Sequence, residues 1–213
     1  LIAILCALAV CVVIAFISYG RTHLFTDYLV TSTVENLDID GTDYAVLNKN
    51  IIKYSSDGVF CVDDRNQTEW STAYSMQTPI VDSCEKTMVI AEQQGDQIYI
   101  LNTEGILGSF RTDLPIIKVR VSRQGVVAAI LKDKEATWIR LYNVTGTEIA
   151  RIKTTLQDSG YPLDVAMTPD AKKMMVSYLG ENGGKLRSRI AFYDFSSASD
   201  QNSDHMTGML EYS

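Results

Sequence analysis

Ile98-Tyr99-Ile100-Leu101-Asn102-Thr103-Glu104-Gly105 decides how this chain reads: an apolar run stops at an Asx residue, and glycine follows three positions on. β-Branched and aromatic side chains in such a run fit a pleated, buried surface. The Asn102 side chain can accept a hydrogen bond from the backbone two residues later, and Gly105 tolerates the positive φ that closes the turn. The phrase returns at Val59-Phe60-Cys61-Val62-Asp63, at Trp138-Ile139-Arg140-Leu141-Tyr142-Asn143 (with Gly146 closing the turn) and at Ile190-Ala191-Phe192-Tyr193-Asp194. Its Asx positions lie about 39, 41 and 51 residues apart, near the 40–50 residues of a four-stranded blade.

Two more strands precede the Asx run in each later unit. Pro79-Ile80-Val81 is followed by Thr87-Met88-Val89-Ile90-Ala91, Pro115 to Val121 by Gly125 to Leu131, and Pro162 to Met167 by Met174 to Leu179. Proline opens the first strand, where its missing N–H costs little. The second strand is apolar almost throughout, as expected where neighbouring sheets cover both faces. Turns at Ser56-Asp57-Gly58, Gly95-Asp96 and Asn182-Gly183-Gly184 separate strands two and three.

The fold class is therefore all-β: a β-propeller-type array of four-stranded antiparallel blades, about four units and an incomplete ring, with an open β-sandwich as the competing architecture. The units fall near residues 45–76, 77–112, 113–157 and 158–213, and the first lacks a clear opening strand. Because an unclosed array exposes an apolar face, the chain is expected to be a fragment, cut at both ends, of a protein of about 350 residues on the blade period.

Residues 1–20 read as one transmembrane anchor helix. Leu1 to Tyr19 carries no charged residue and spans about 28 Å as a helix, close to the hydrocarbon thickness. Tyr19, Arg21 and His23 supply the aromatic and cationic edge found at headgroups. A cleaved signal peptide would have a shorter apolar core and a better small-x-small site than Ala15 to Gly20 offers. Residues 21–44 then form a juxtamembrane linker and entry strand. One basic residue after the helix and an acidic domain beyond it fit a cytoplasmic N-terminus and an extracytoplasmic domain.

The net charge of −7 falls entirely after the anchor. An acidic surface repels phosphate backbones, so nucleic acid is excluded as a partner. Cys61 and Cys84 form no C-x-x-C pattern, and two thiols acting as small apolar residues are favoured over a disulfide.

The stretch Asp57-Gly58-Val59-Phe60-Cys61-Val62-Asp63-Asp64-Arg65-Asn66-Gln67-Thr68-Glu69-Trp70 resembles the repeat of quinoprotein-like propellers, which runs D-G-x-hydrophobic-x-x-hydrophobic-D-x-x-T-G-x-x-x-W. It departs where Gln67-Thr68 replaces Thr-Gly, and later units have no tryptophan at the Trp70 position. Pro169-Asp170 with Lys172-Lys173 resembles the S-P-D-G-K turn of WD-type propellers. The layout resembles an uncharacterised family of bacterial single-pass proteins with a propeller ectodomain. That resemblance implies architecture and extracytoplasmic placement, and no activity.

No catalytic, cofactor-binding or metal residue is singled out. His23 and His205 lie at opposite ends of the repeats without ligand partners at metal spacing, and His205 is expected to be solvated. Asp38-Ile39-Asp40-Gly41-Thr42-Asp43 lacks the downstream glutamate of a calcium loop and reads as an Asp-Gly turn. Asp63-Asp64 is a turn before it is a catalytic pair. Trp70 and Trp138 are expected to pack between blades. A quinone cofactor would need a calcium site and a polar ring that are not identifiable. The expected function is a non-enzymatic binding, scaffold or sensor module at the cell membrane. It would be held in the lipid bilayer through residues 1–20, and its partner would be an envelope protein or a glycan. The alternative is a quinoprotein-like oxidoreductase or a carbohydrate-active propeller. Ile80, Ile116 and Leu163 at the central mouth favour binding.

Overall fold

The computed structural model describes residues 9–13, 29–30, 33, 38, 41–196 and 205–212. The chain divides into two units, Leu1–Asn36 and Leu37–Ser213. In the first unit, residues 9–13 are helical and exposed. The anchor predicted for residues 1–20 otherwise lies outside the described residues, as does most of the linker. Among the described residues no helix is long and apolar enough to cross a membrane.

The second unit is all β. Sheet 1 contains β1 (Asp43–Leu47), β2 (Asn50–Tyr54), β3 (Gly58–Val62) and β4 (Thr68–Ala73). Sheet 2 contains β5 (Pro79–Cys84), β6 (Thr87–Glu92), β7 (Gln97–Asn102) and β8 (Gly105–Arg111). Sheet 3 contains β9 (Ile116–Val121), β10 (Val127–Lys132), β11 (Thr137–Tyr142) and β12 (Glu148–Thr154). Sheet 4 contains β13 (Tyr161–Met167), β14 (Lys173–Asn182), β15 (Lys185–Asp194) and β16 (Met206–Tyr212). Each sheet is an antiparallel meander in chain order. Sheet 1 has the opening strand that the sequence pattern missed. In β1 Leu47 is fully buried and Ala45 packs on the same layer, while Tyr44 and Val46 are exposed, and the strand lacks the proline that opens the later units.

The four Asx residues end the third strands as expected. Asn102 Oδ1 accepts from the N–H of Glu104 (2.7 Å) and Gly105 (3.1 Å). Asn143 Oδ1 accepts from Thr145 (3.0 Å) and Thr147 (2.9 Å). Asp63 Oδ1 accepts from Arg65 (2.9 Å) and Gln67 (2.7 Å), and Asp194 Oδ1 from Ser196 (2.8 Å). The short side chain holds the backbone N–H groups that the strand leaves unpaired. Gly146, at φ +80°, brings its Cα close to the Phe110 ring, where a Cβ would meet Phe110 Cβ at 2.6 Å.

Three apolar layers join the sheets. Cross-strand pairs on the front of each sheet, the face towards the next sheet in the chain, are Ile52 with Cys61, Val89 with Ile100, and Ala128 with Leu141. All six are buried. They share layers with the back of the following sheet: Met88, Ile90 and Leu101 in the first, Val127, Ala129 and Tyr142 in the second, Met174, Val176 and Tyr193 in the third. Each larger aliphatic residue enclosed this way stabilises the fold by about 1.5–3 kcal/mol. The Tyr178 and Tyr193 hydroxyls meet at 2.8 Å inside the third layer, so neither phenol is buried without a partner. Burial pushes the Tyr178 phenol far above its ordinary pKa. Cys61 and Cys84 are free thiols.

Candidate functional site

The first strands β5, β9 and β13 carry charged residues beyond the apolar Ile80, Ile116 and Leu163 that the sequence reading placed at the mouth. Arg120, on β9, donates from Nη1 to Asp82 Oδ1 on β5 (3.2 Å). From Nη2 it reaches both oxygens of Asp164 on β13 (2.9 and 3.0 Å). Its Nε donates to the Val165 carbonyl at 3.0 Å. The second Asp82 oxygen accepts the Val121 N–H at 2.8 Å, and Lys118 Nζ lies 3.2 Å from Asp164. One planar guanidinium thus ties three sheets together in a geometry that a lysine could not reproduce.

Two cations neutralise two carboxylates here. Partial burial works to raise the Asp164 pKa, but the Val165 N–H, Lys118 and Arg120 more than offset it and hold the carboxyl below its ordinary value. A carboxylate held in its charged form is a poor proton donor at neutral pH. The arrangement is suited to fixing strand register. A polar ligand at this position would have to displace one of the ions.

The expected apolar mouth is only partly realised. Ile116 is fully buried and Ile80 packs against the layer between sheets 2 and 3, while Leu163 is exposed. The missed signal was a charge in the middle of each proline-led strand, alternating in sign from Asp82 to Arg120 to Asp164. Of the other candidates, Asp38 is engaged by Lys53 (2.9 Å) and by the Tyr44 hydroxyl (2.8 Å). His205 is half-buried where solvation was expected: it directly precedes β16, its carbonyl accepts from the Asp194 N–H at 3.0 Å, and its ring stands 4.9 Å from that of Phe195. His23 lies outside the described residues. Among the described residues no group of three or more His, Cys, Asp or Glu is placed to hold a metal ion.

Both tryptophans pack as expected. Trp70, on β4, donates its indole N–H to the Thr103 carbonyl of sheet 2 at 2.9 Å. Trp138 packs against the layer between sheets 2 and 3, beneath Arg140 (5.4 Å) and Lys153 (5.8 Å). Along sheet 4 runs a cleft of about 670 Å³ bordered by Met167, Pro169, Met175, Phe192 and Thr207. Beside it a second cleft of about 460 Å³ carries Arg123, Lys172 and Lys173.

Known proteins place this architecture. BamB from Moraxella catarrhalis is similar at 15% identity and a TM-score of 0.55, over 84% of this chain and 52% of that one. Hsv2 from Kluyveromyces lactis is similar at 14% identity and 0.51, over 74% and 49%. The WD40 domain of Toxoplasma gondii coronin is similar at 10% identity and 0.52, over 77% and 44%. The chain spans about half the length of these structures, and the likeness shows a shared propeller-type fold. No curated protein matches the sequence. Residues 21–213 match the profile described as a family of unknown function (DUF5711).

Proposed function

The chain belongs to the DUF5711 family of unknown function, and we propose that it is a binding or scaffold module displayed at the cell envelope. The observation that carries this reading is the Arg120 latch. The charges nearest the centre of the array are engaged with one another, which suits a rigid frame better than acid–base chemistry. Propeller loops vary freely on such a frame and supply the recognition surface. The uncharged run of residues 1–20 is the lipid-embedded tether, with the β unit on the extracytoplasmic side. The partner is an envelope protein or a glycan.

Two measurements test it together. In native cells the protein should stay in the membrane fraction after alkaline carbonate extraction and be cleaved by protease in spheroplasts. Photoreactive residues scanned over the exposed outer-strand positions Leu107 and Ile149 should give discrete adducts to one partner. A product released by carbonate, or protected in spheroplasts, would refute the placement. Absence of adducts at every scanned position would refute the binding role.

A further inference from the structure

Each turn between the first and second strands of a sheet carries one cation: Lys49, Lys86, Arg123 and Lys172, all exposed. The turns between second and third strands lie at the opposite end of the sheets, and in the first three they carry Asp57, Asp96 and Asp133. A chain of net charge −7 thus keeps a row of positive charge at one end. Sheets 1 and 2 place theirs alike: Asn48 (φ +59°) and Glu85 (φ +54°) open two-residue turns in the left-handed conformation, and Lys49 and Lys86 follow. The later turns are bonded to one another. The Thr87 hydroxyl donates to the Arg123 carbonyl at 2.8 Å, and the Arg123 N–H donates to the Pro169 carbonyl at 3.0 Å.

The cleft of about 460 Å³ lies on this row, bordered by Arg123 of sheet 3 and by Thr168, Pro169, Lys172, Lys173 and Ser196 of sheet 4. Its cations are loosely held. Arg123 Nη1 is 3.5 Å from Glu85 and Lys173 Nζ 3.8 Å from Asp194, longer than the 2.7–2.9 Å of a good charge-assisted bond. Asp170 is turned to its own loop, where one oxygen accepts from the Thr168 hydroxyl (2.6 Å) and the Lys172 N–H (3.1 Å). An arriving oxyanion would exchange long, solvated contacts for short ones. At Arg120 it would have to break bonds of 2.9 and 3.0 Å to Asp164.

We propose that this end of the array binds an acidic glycan, which rests on the binding role proposed above and takes the glycan as its partner. Arg123, Lys172 and Lys173 grip one carboxylate or phosphate in the cleft, and Lys86 and Lys49 meet further groups along the polymer. Cations set one to a turn match charges repeated along a chain better than a single small anion. A nucleic acid would need stacking platforms, and none of these four turns contains an aromatic residue. An acidic peptide held by its backbone would need free main-chain groups at the cleft, and Arg123 has both of its own engaged.

The complete gene product, purified in detergent, is titrated at low salt with polygalacturonate, a phosphomannan, neutral dextran, poly-glutamate and duplex DNA. It should bind one or both acidic glycans and not dextran, and the tighter of the two identifies the anion. Arg123→Gln with Lys172→Gln should weaken binding by on the order of tenfold, as for two exposed charge contacts. Lys172→Gln alone, which leaves the Glu85 contact in place, should cost about threefold. Lys134→Gln with Lys185→Gln removes the same charge from the opposite end of the same two sheets and should leave binding within about twofold. Equal weakening by the two pairs overturns the proposal, as does poly-glutamate or DNA binding as tightly as the acidic glycans. Adducts at Leu107 or Ile149 without binding to either glycan would overturn this site and leave the binding role standing.

Discussion

Sheets 1 and 2 meet differently from sheets 2 and 3, although the same positions are in contact. At the first interface Trp70 leans outward from β4 and donates to the Thr103 carbonyl. At the second the equivalent position is Gly108, and the Val144 backbone of the next Asx turn comes in directly, so that a Cβ on Gly108 would overlap the Val144 carbonyl oxygen. One interface is filled from the preceding sheet and the other from the following one. The inner strands differ too. Arg120 and Asp82 join sheets 2 and 3, whereas among the described residues no ion pair joins sheets 1 and 2. The lesson is that the blade-to-blade volume is fixed while the side that fills it is free to change. Sheets 2, 3 and 4 share a charged inner latch, and sheet 1 is held by its apolar layer and its outer lip.

The largest effect should come from Gly108→Ala, at about 3 kcal/mol, the upper range for overpacking a tight site. Urea unfolding measures it. Adding Val144→Ala should restore little, because the overlap is with a backbone oxygen. Recovery of most of the loss would mean that the side chain, not the chain path, sets the approach. Arg120→Met should follow at about 2 kcal/mol, less than for a fully buried pair because the group is about one-third exposed. Hydrogen exchange should quicken in β5, β9 and β13 and stay unchanged in β1 to β4. Equal loosening of all four sheets would show that sheet 1 depends on the latch after all.

Trp70→Phe removes one N–H and keeps most of the ring. It should cost about 1 kcal/mol, the net worth of one hydrogen bond with its acceptor left behind, and should loosen sheet 1 alone. If exchange in β9 to β12 rises as well, the two interfaces are not independent.

These contrasts mark what the sequence could show. The third strands were legible because Asx and glycine impose backbone geometry wherever they occur, and the second strands because burial on both faces leaves an unbroken apolar run. β1 was not, because no proline leads it and only Ala45 and Leu47 reach the core, and neither was the lip position on the fourth strands. Trp70, Gly108 and Ala150, each opposite the front residue of its third strand, look unrelated in sequence, since each answers a different residue in the next sheet. The quinoprotein-like consensus expects tryptophan there, and sheets 2 and 3 meet the same packing demand without it. The latch was hidden for another reason: Asp82, Arg120 and Asp164 sit at slightly different distances from their prolines, and only the fold brings them to one level.

The smallest effect separates the interfaces by pH. The Asp164 pKa is lower in the folded chain than in the unfolded one. Its contribution is therefore fully present above the unfolded value of about 3.9 and is lost as pH falls through the lower folded value. Because Asp164 is 44% exposed, solvent screening keeps this below the Trp70 effect. The difference in urea midpoint between the native protein and Asp164→Asn should be constant from neutrality to about pH 4.5 and shrink below that range. The difference produced by Trp70→Phe should not move, since no titrating group takes part in the indole contact. Should the Asp164→Asn difference stay constant into strong acid, the carboxylate is not stabilised by its cations. The latch would then be a matter of shape, and the inner contrast between the two interfaces would reduce to the outer one.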